Sequence, residues 1–166
     1  MRPASALAVI VLGAVAGCAT LRNVIQPPEF READGRDAEF RLVGPSADRP
    51  LGGAAVRLWA EVHNPNPLSL TLSALSGRLY VSDTRAADVD FPLGVPMLAG
   101  QDTVVPLDIG LSFSDLPALA DVARRWLAGQ TLPYRLDGTV TVDADALGQP
   151  TFGPSTLLTG ELTVRR

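Results

Sequence analysis

The sequence predicts an all-β fold, two sheets stacked face to face with one α-helix between the later strands. Three observations carry this. Apolar and polar residues alternate with a period of two over most of the chain after Phe40, the signature of half-buried strands. One stretch, from Ser114 to Gly129, has helical spacing instead. The 166 residues are 46% hydrophobic and only 19% charged, enough apolar material to bury a core and too little charge for a disordered chain.

The first element reads as an export signal. Met1-Arg2-Pro3 gives a short basic start, and Ala4 to Ala16 follows with no charge. That run is too short to span a bilayer, which needs about 20 residues, and has the length of a signal-peptide apolar region. It ends Val15-Ala16-Gly17-Cys18, which resembles the bacterial lipobox. Small residues let an extended chain enter a peptidase cleft, and the thiol is the nucleophile that receives lipid. Residues 1–17 are therefore expected to be a lipoprotein signal peptide, and Cys18 the lipid attachment site. The resemblance implies three acyl chains on Cys18, and two or more hold a protein stably on a membrane. Ala19 follows the cysteine rather than Asp, which in a Gram-negative cell implies the periplasmic face of the outer membrane. Residues 18–37 read as a lipidated tether stiffened by Pro27-Pro28, with a short strand around Phe30. Residues 38–166 read as one domain.

Within that domain, Val56, Leu58, Ala60 and Val62 fall on one face, opposed by Arg57, Trp59, Glu61 and His63. Leu68, Leu70 and Leu72 alternate with Ser69, Thr71 and Ser73. Val105, Leu107, Ile109, Leu111 and Phe113 form a third stripe. Leu132, Tyr134, Leu136, Val140 and Val142 form a fourth, with Arg135, Asp137, Thr139, Thr141 and Asp143 outward. Leu158, Leu162 and Val164 close the chain. Two sheets face to face would bury all five stripes. In the helical stretch, Leu116, Leu119, Ala120, Ala123, Trp126 and Leu127 share a face. Ser114 or Asp115 caps its start, Pro117 fits the first turn, and Gly129 stops it.

The residue inventory offers little chemistry. One Cys and one His exclude an internal disulfide and a Cys/His zinc site, so neither metal nor cofactor is expected. A nucleophilic triad would have to use His63, and no nucleophile-elbow sequence is present, so no catalytic residue is assigned. Asp88-Val89-Asp90 and Asp143-Ala144-Asp145 follow no calcium-loop pattern and read as solvated carboxylates. Trp59 and Trp126 read as core packing, with an apolar groove as the alternative. All 14 basic residues are Arg, the net charge is -4, and no basic face suggests nucleic acid as a partner.

At His63-Asn64-Pro65-Asn66-Pro67 an alternating strand runs into Asn-Pro-Asn and then Leu68-Ser69-Leu70-Thr71-Leu72. Gly77-Arg78-Leu79-Tyr80-Val81 follows, then a turn at Pro96 to Gly100, a strand, a helix and Tyr134-Arg135-Leu136-Asp137-Gly138. In this order the motifs resemble the late embryogenesis abundant (LEA) type 2 family, or WHy (water stress and hypersensitive response) domain, over about Phe40 to Val164. The resemblance implies a fibronectin III or immunoglobulin-like β-sandwich with one helix. It also implies a non-enzymatic protein with a role in water-stress or desiccation tolerance. Asn64, Pro65 and Asn66 suit a strand-to-strand corner: Pro65 fixes φ, and Asn side chains bond nearby backbone. The corner is read as structural, with a recognition loop as the alternative. The expected partner is the membrane, through the lipid. The alternative function is an envelope binding module for a lipid, an apolar ligand or a protein.

Overall fold

A computed structural model describes residues 25–47, 50, 52–112, 122, 124–125 and 127–162. Among the described residues eight strands carry the fold: β1 (Glu29–Glu32), β2 (Glu39–Val43), β3 (Gly53–His63), β4 (Leu70–Val81), β5 (Thr84–Met97), β6 (Asp102–Ser112), β7 (Leu132–Asp143) and β8 (Thr151–Leu162). All pairings are antiparallel and form two sheets. In the first sheet, β6 pairs with β3 along its whole length. β1 and β2 share the opposite edge of β3, β1 against Ala60–His63 and β2 against Gly53–Arg57. The second sheet runs β5-β4-β7-β8.

The alternation read from the sequence decides what lies between the sheets. Val56, Leu58, Ala60 and Val62 of β3 are fully buried, as are Leu72, Leu75 and Leu79 of β4. Val105, Leu107 and Ile109 of β6, and Leu132, Leu136, Val140 and Val142 of β7, meet them in one cluster. A strand with one apolar face can hide it only against another such face, so the two sheets form a sandwich. The β1 strand touches β8, and β5 touches β6, at the two seams. Interior Pro residues stand on β5 (Pro92, Pro96), β6 (Pro106) and β8 (Pro154), where a missing N–H blunts an edge.

In the second sheet Gly77 of β4 is paired with Gly138 of β7. A Cβ on Gly138 would strike the Ser76 carbonyl and stand 2.9 Å from Gly77 Cα; a Cβ on Gly77 would strike the Asp137 carbonyl. Only glycine lets the two backbones approach so closely.

Three features differ from the sequence reading. Strand β5 was expected only as a Pro/Gly-rich turn near its end. Its outward positions hold Asp88, Asp90, Pro92, Gly94 and Pro96, turn formers that hide the alternation of Ala86, Val89 and Met97 on the buried side. The domain also begins before residue 38: Ile25 is buried in the core and β1 lies inside the stretch read as a tether. Finally, the helix expected over residues 114–129 lies mostly outside the described residues; Val122, Arg124, Arg125 and Leu127 have helical backbone, and Ala128 N donates to Arg124 O at 3.0 Å.

Candidate functional site

The Asn-Pro-Asn corner joins the end of β3 to the start of β4 and holds two buried amide side chains. Asn64 is 0% exposed and Asn66 1%. Burying an amide without partners costs about 1–3 kcal/mol, so the partners decide whether this corner is a liability or a joint. Asn64 Nδ2 donates to Leu68 O at 2.9 Å, Leu98 O at 3.2 Å and Met97 O at 3.3 Å. Its Oδ1 accepts from Asn66 N at 3.1 Å and Asn66 Nδ2 at 3.0 Å. The first is the side-chain-to-backbone bond two residues on that makes Asn a turn former.

Asn66 acts as a strand neighbour with its side chain. Its Oδ1 accepts from Gln26 N at 2.7 Å, and its Nδ2 donates to Gln26 O at 2.9 Å. An amide carries the same donor and acceptor as a peptide unit, so it pairs with the chain ahead of β1 as a ladder residue would. Asn64 also uses its backbone: its N donates to Gln101 O at 3.1 Å, and its O accepts from Gly100 N at 3.0 Å. Five chain segments thus meet at one corner: the approach to β1, the end of β3, the start of β4, the end of β5 and the β5–β6 turn. Pro65 between the two Asn residues is half-buried.

One residue earlier the polar chemistry is of another kind. His63 Nδ1 lies 2.8 Å from Asp102 Oδ1, across the β3–β6 ladder. Arg31 on β1 donates to Glu61 Oε1 at 2.5 Å and to Asp102 Oδ2 at 3.1 Å. This row runs over the outer face of the first sheet, across three adjacent strands. The His63 hydrogen bond foremost, with the Arg31 guanidinium behind it, holds the Asp102 carboxyl below the usual carboxylate range. Further along the same face, Arg57 donates to both oxygens of Asp108, at 2.7 and 2.9 Å, and holds that carboxyl down as well.

Trp59 sits on this outer face, half-buried, rather than in the core. The Arg36 guanidinium lies 4.5 Å from its ring centroid and that of Arg57 5.8 Å. Position 59 has the parity of Arg57 and Glu61, and that parity overrides the general tendency of Trp to be buried; the flanking guanidiniums cover the ring by cation–π contact. Trp126, Cys18, Val15, Ala16 and Gly17 lie outside the described residues.

The paired aspartates are not brought together as a site. Asp88 pairs with Arg85, and Asp90 accepts from Ser76 Oγ at 3.0 Å. Asp143 accepts from Asp145 N and from Gln149 Nε2, both at 2.9 Å. Among the described residues no three His, Cys, Asp or Glu side chains gather as metal ligands.

A tie invisible in the sequence closes one seam. Tyr134 on β7 donates its hydroxyl to Glu32 Oε1 on β1 at 3.1 Å. Burial, reinforced by that carboxylate, raises the phenol far above its ordinary value, so it remains a donor. Gly160 on β8 makes room for the carboxylate: a Cβ there would stand 2.5 Å from Glu32 Oε1.

The fold is shared with known proteins. The solution structure of AT1g01470 from Arabidopsis thaliana is similar at 19% identity, TM-score 0.58, over 84% of this chain and 83% of that one. The solution structure of At2g46140.1, described as a late embryogenesis abundant (LEA) protein, is similar at 21% identity, TM-score 0.54, over 90% and 78%. No curated protein matches the chain. Residues 60–156, more than half of the 166, match the sequence profile of the late embryogenesis abundant protein family. That span starts in β3, carries the Asn-Pro-Asn corner and ends in β8, and on it the chain belongs to the LEA type 2 family.

Proposed function

We propose that this is a lipid-anchored, non-enzymatic LEA type 2 protein of the cell envelope, which acts in water-stress tolerance by binding or shielding other components. The reading rests on one conjunction: a domain of this family follows Val15-Ala16-Gly17-Cys18 at the end of a short apolar run. In a Gram-negative cell, Ala19 after the cysteine favours the periplasmic face of the outer membrane. The fibronectin III or immunoglobulin-like shape, with a helix over residues 114–129, belongs to the same proposal. So does the absence of catalysis: the one His is engaged with Asp102, and the corner amides bond to the chain itself.

The test is Cys18→Ser in cells fed labelled palmitate, with survival after drying scored in a deletion strain. The wild-type chain is expected to take up label and restore survival, and the variant to do neither. Label entering the variant would remove the lipid anchor from the account; survival unchanged by the deletion would remove the stress role.

One observation favours a second reading, an envelope module for a lipid or apolar ligand. Phe91, Leu93 and Val95 on edge strand β5 pack against the core yet stay only partly buried. Mass spectrometry of lipid that copurifies with the chain from native membranes decides it: a stoichiometric lipid supports this reading, and none discards it.

A further inference from the structure

We propose that the corner end of the sandwich faces and rests on the lipid surface, so that the opposite end is the one presented away from the membrane. This rests on lipidation of Cys18, and goes beyond it by assigning the orientation and the membrane-contacting surface.

The argument begins with where the chain enters the domain. Ile25 is buried, and Gln26 is held by both of its backbone groups to the Asn66 amide. The lead from the lipid is therefore fixed to the corner and cannot detach without breaking those bonds. Cys18 to Ile25 is seven residue steps, at most about 25 Å of extended chain. The 11-residue β3 strand alone makes the sandwich about 36 Å long. An inverted domain would need Gln26 a full domain length above the bilayer, farther than the lead can reach. Only an upright domain, corner down, or one lying on its side fits.

The surfaces choose between these two. The outer faces carry charge networks: Arg31, Glu61, Asp102 and His63, then Arg57 with Asp108, on one sheet, and Arg135 with Asp137 on the other. Laying either face on lipid would strip water from paired charges, which costs more than their attraction returns. The corner end instead presents Leu98, 55% exposed, in the turn that Asn64 fixes, with Leu68 half-buried beside it and exposed Pro67. Glu29, Asp143 and Asp145 also lie toward this end, with Asp102 of the outer row at its border, so the contact is confined to the Leu98 turn and these carboxylates stay in headgroup water. That charge matches a zwitterionic surface better than an anionic one.

The full-length processed protein tests this. Its single native thiol is consumed by lipid, so an introduced cysteine is the sole labelling site. Four exposed or half-exposed positions suffice: Ala99→Cys at the corner end, Thr131→Cys at the opposite end, and Pro106→Cys and Thr139→Cys on the two outer faces. Each is labelled with a fluorophore, reconstituted on phosphatidylcholine vesicles containing nitroxide-bearing lipid, and floated. The expected result is flotation with strong loss of emission at position 99 and little at 131, 106 and 139. Flotation with equal quenching at 99 and any other position, or with none at 99, overturns the orientation and leaves the anchor standing. Failure to float removes the anchor, and the orientation with it.

Discussion

His63 and Asn64 are neighbours in the chain and opposites in physics. His63 points out from β3 and joins an exposed row with Asp102, Arg31 and Glu61. Asn64 turns inward, is fully buried, and gives every donor and acceptor of its side chain to the corner. Both sites are polar and well bonded, yet they should count very differently. Water competes for each group in the outer row, in the folded state as in the unfolded one, and salt screens it. No water competes at the corner, so each lost partner leaves a buried group unsatisfied. Location, more than the number of bonds, separates a joint from a decorated surface.

The comparison breaks first at the corner. Asn64→Ala removes one amide and takes away the partner it gives to the Leu68 carbonyl and the Asn66 N–H, a loss of about 3 kcal/mol, or about 9 °C in melting temperature for a domain of this size. Asn66→Ala should cost less, about 2 kcal/mol, because it frees the approach to β1 but leaves β4 and β5 tied through Asn64. Thermal melts of the two variants give that order; Asn66 costing more than Asn64 would show that the approach to β1, not the β5–β6 turn, is what the corner secures.

The outer row yields a smaller effect, visible in acid. Asp102 titrates below its ordinary 3.8 in the folded state, so its contribution is present above that value and lost as pH falls through the lower, folded one. Because the His63 hydrogen bond is the foremost cause, His63→Ala should return Asp102 toward 3.8 and flatten the acid side of the stability curve. Melts from about pH 5 to about pH 2 would show a gentler decline in the variant than in the wild type. An unchanged acid slope would mean that Arg31 alone sets Asp102.

How much of this was legible follows from the range over which each signal acts. The stripes of β3, β6 and β7 were readable because a large apolar residue recurs at nearly every second position and that alternation is local. Strand β5 was not, since an edge strand blunted by Pro92, Gly94 and Pro96 looks like a loop. The parity of Trp59 marked it as outward-facing, and the general rule for Trp misled. The Asn-Pro-Asn motif itself was plain, and so was its turn chemistry. Its partners were not: Gln26 is 40 residues from Asn66, and Leu98 is 34 from Asn64, both reached through backbone atoms that any residue would supply. The Tyr134–Glu32 tie spans 102 residues and leaves no local trace.

The most direct test of the contrast is a pair of double-mutant cycles read by urea unfolding of the mature protein. Asn64 and Asn66 share two hydrogen bonds and a buried site, so Asn64→Ala and Asn66→Ala should be non-additive by roughly 1–2 kcal/mol. His63 and Asn64 are adjacent in sequence but belong to separate networks, and their substitutions should add within about 0.5 kcal/mol. Additive Asn64 and Asn66, or strongly coupled His63 and Asn64, would contradict the account and make the corner and the outer row one unit.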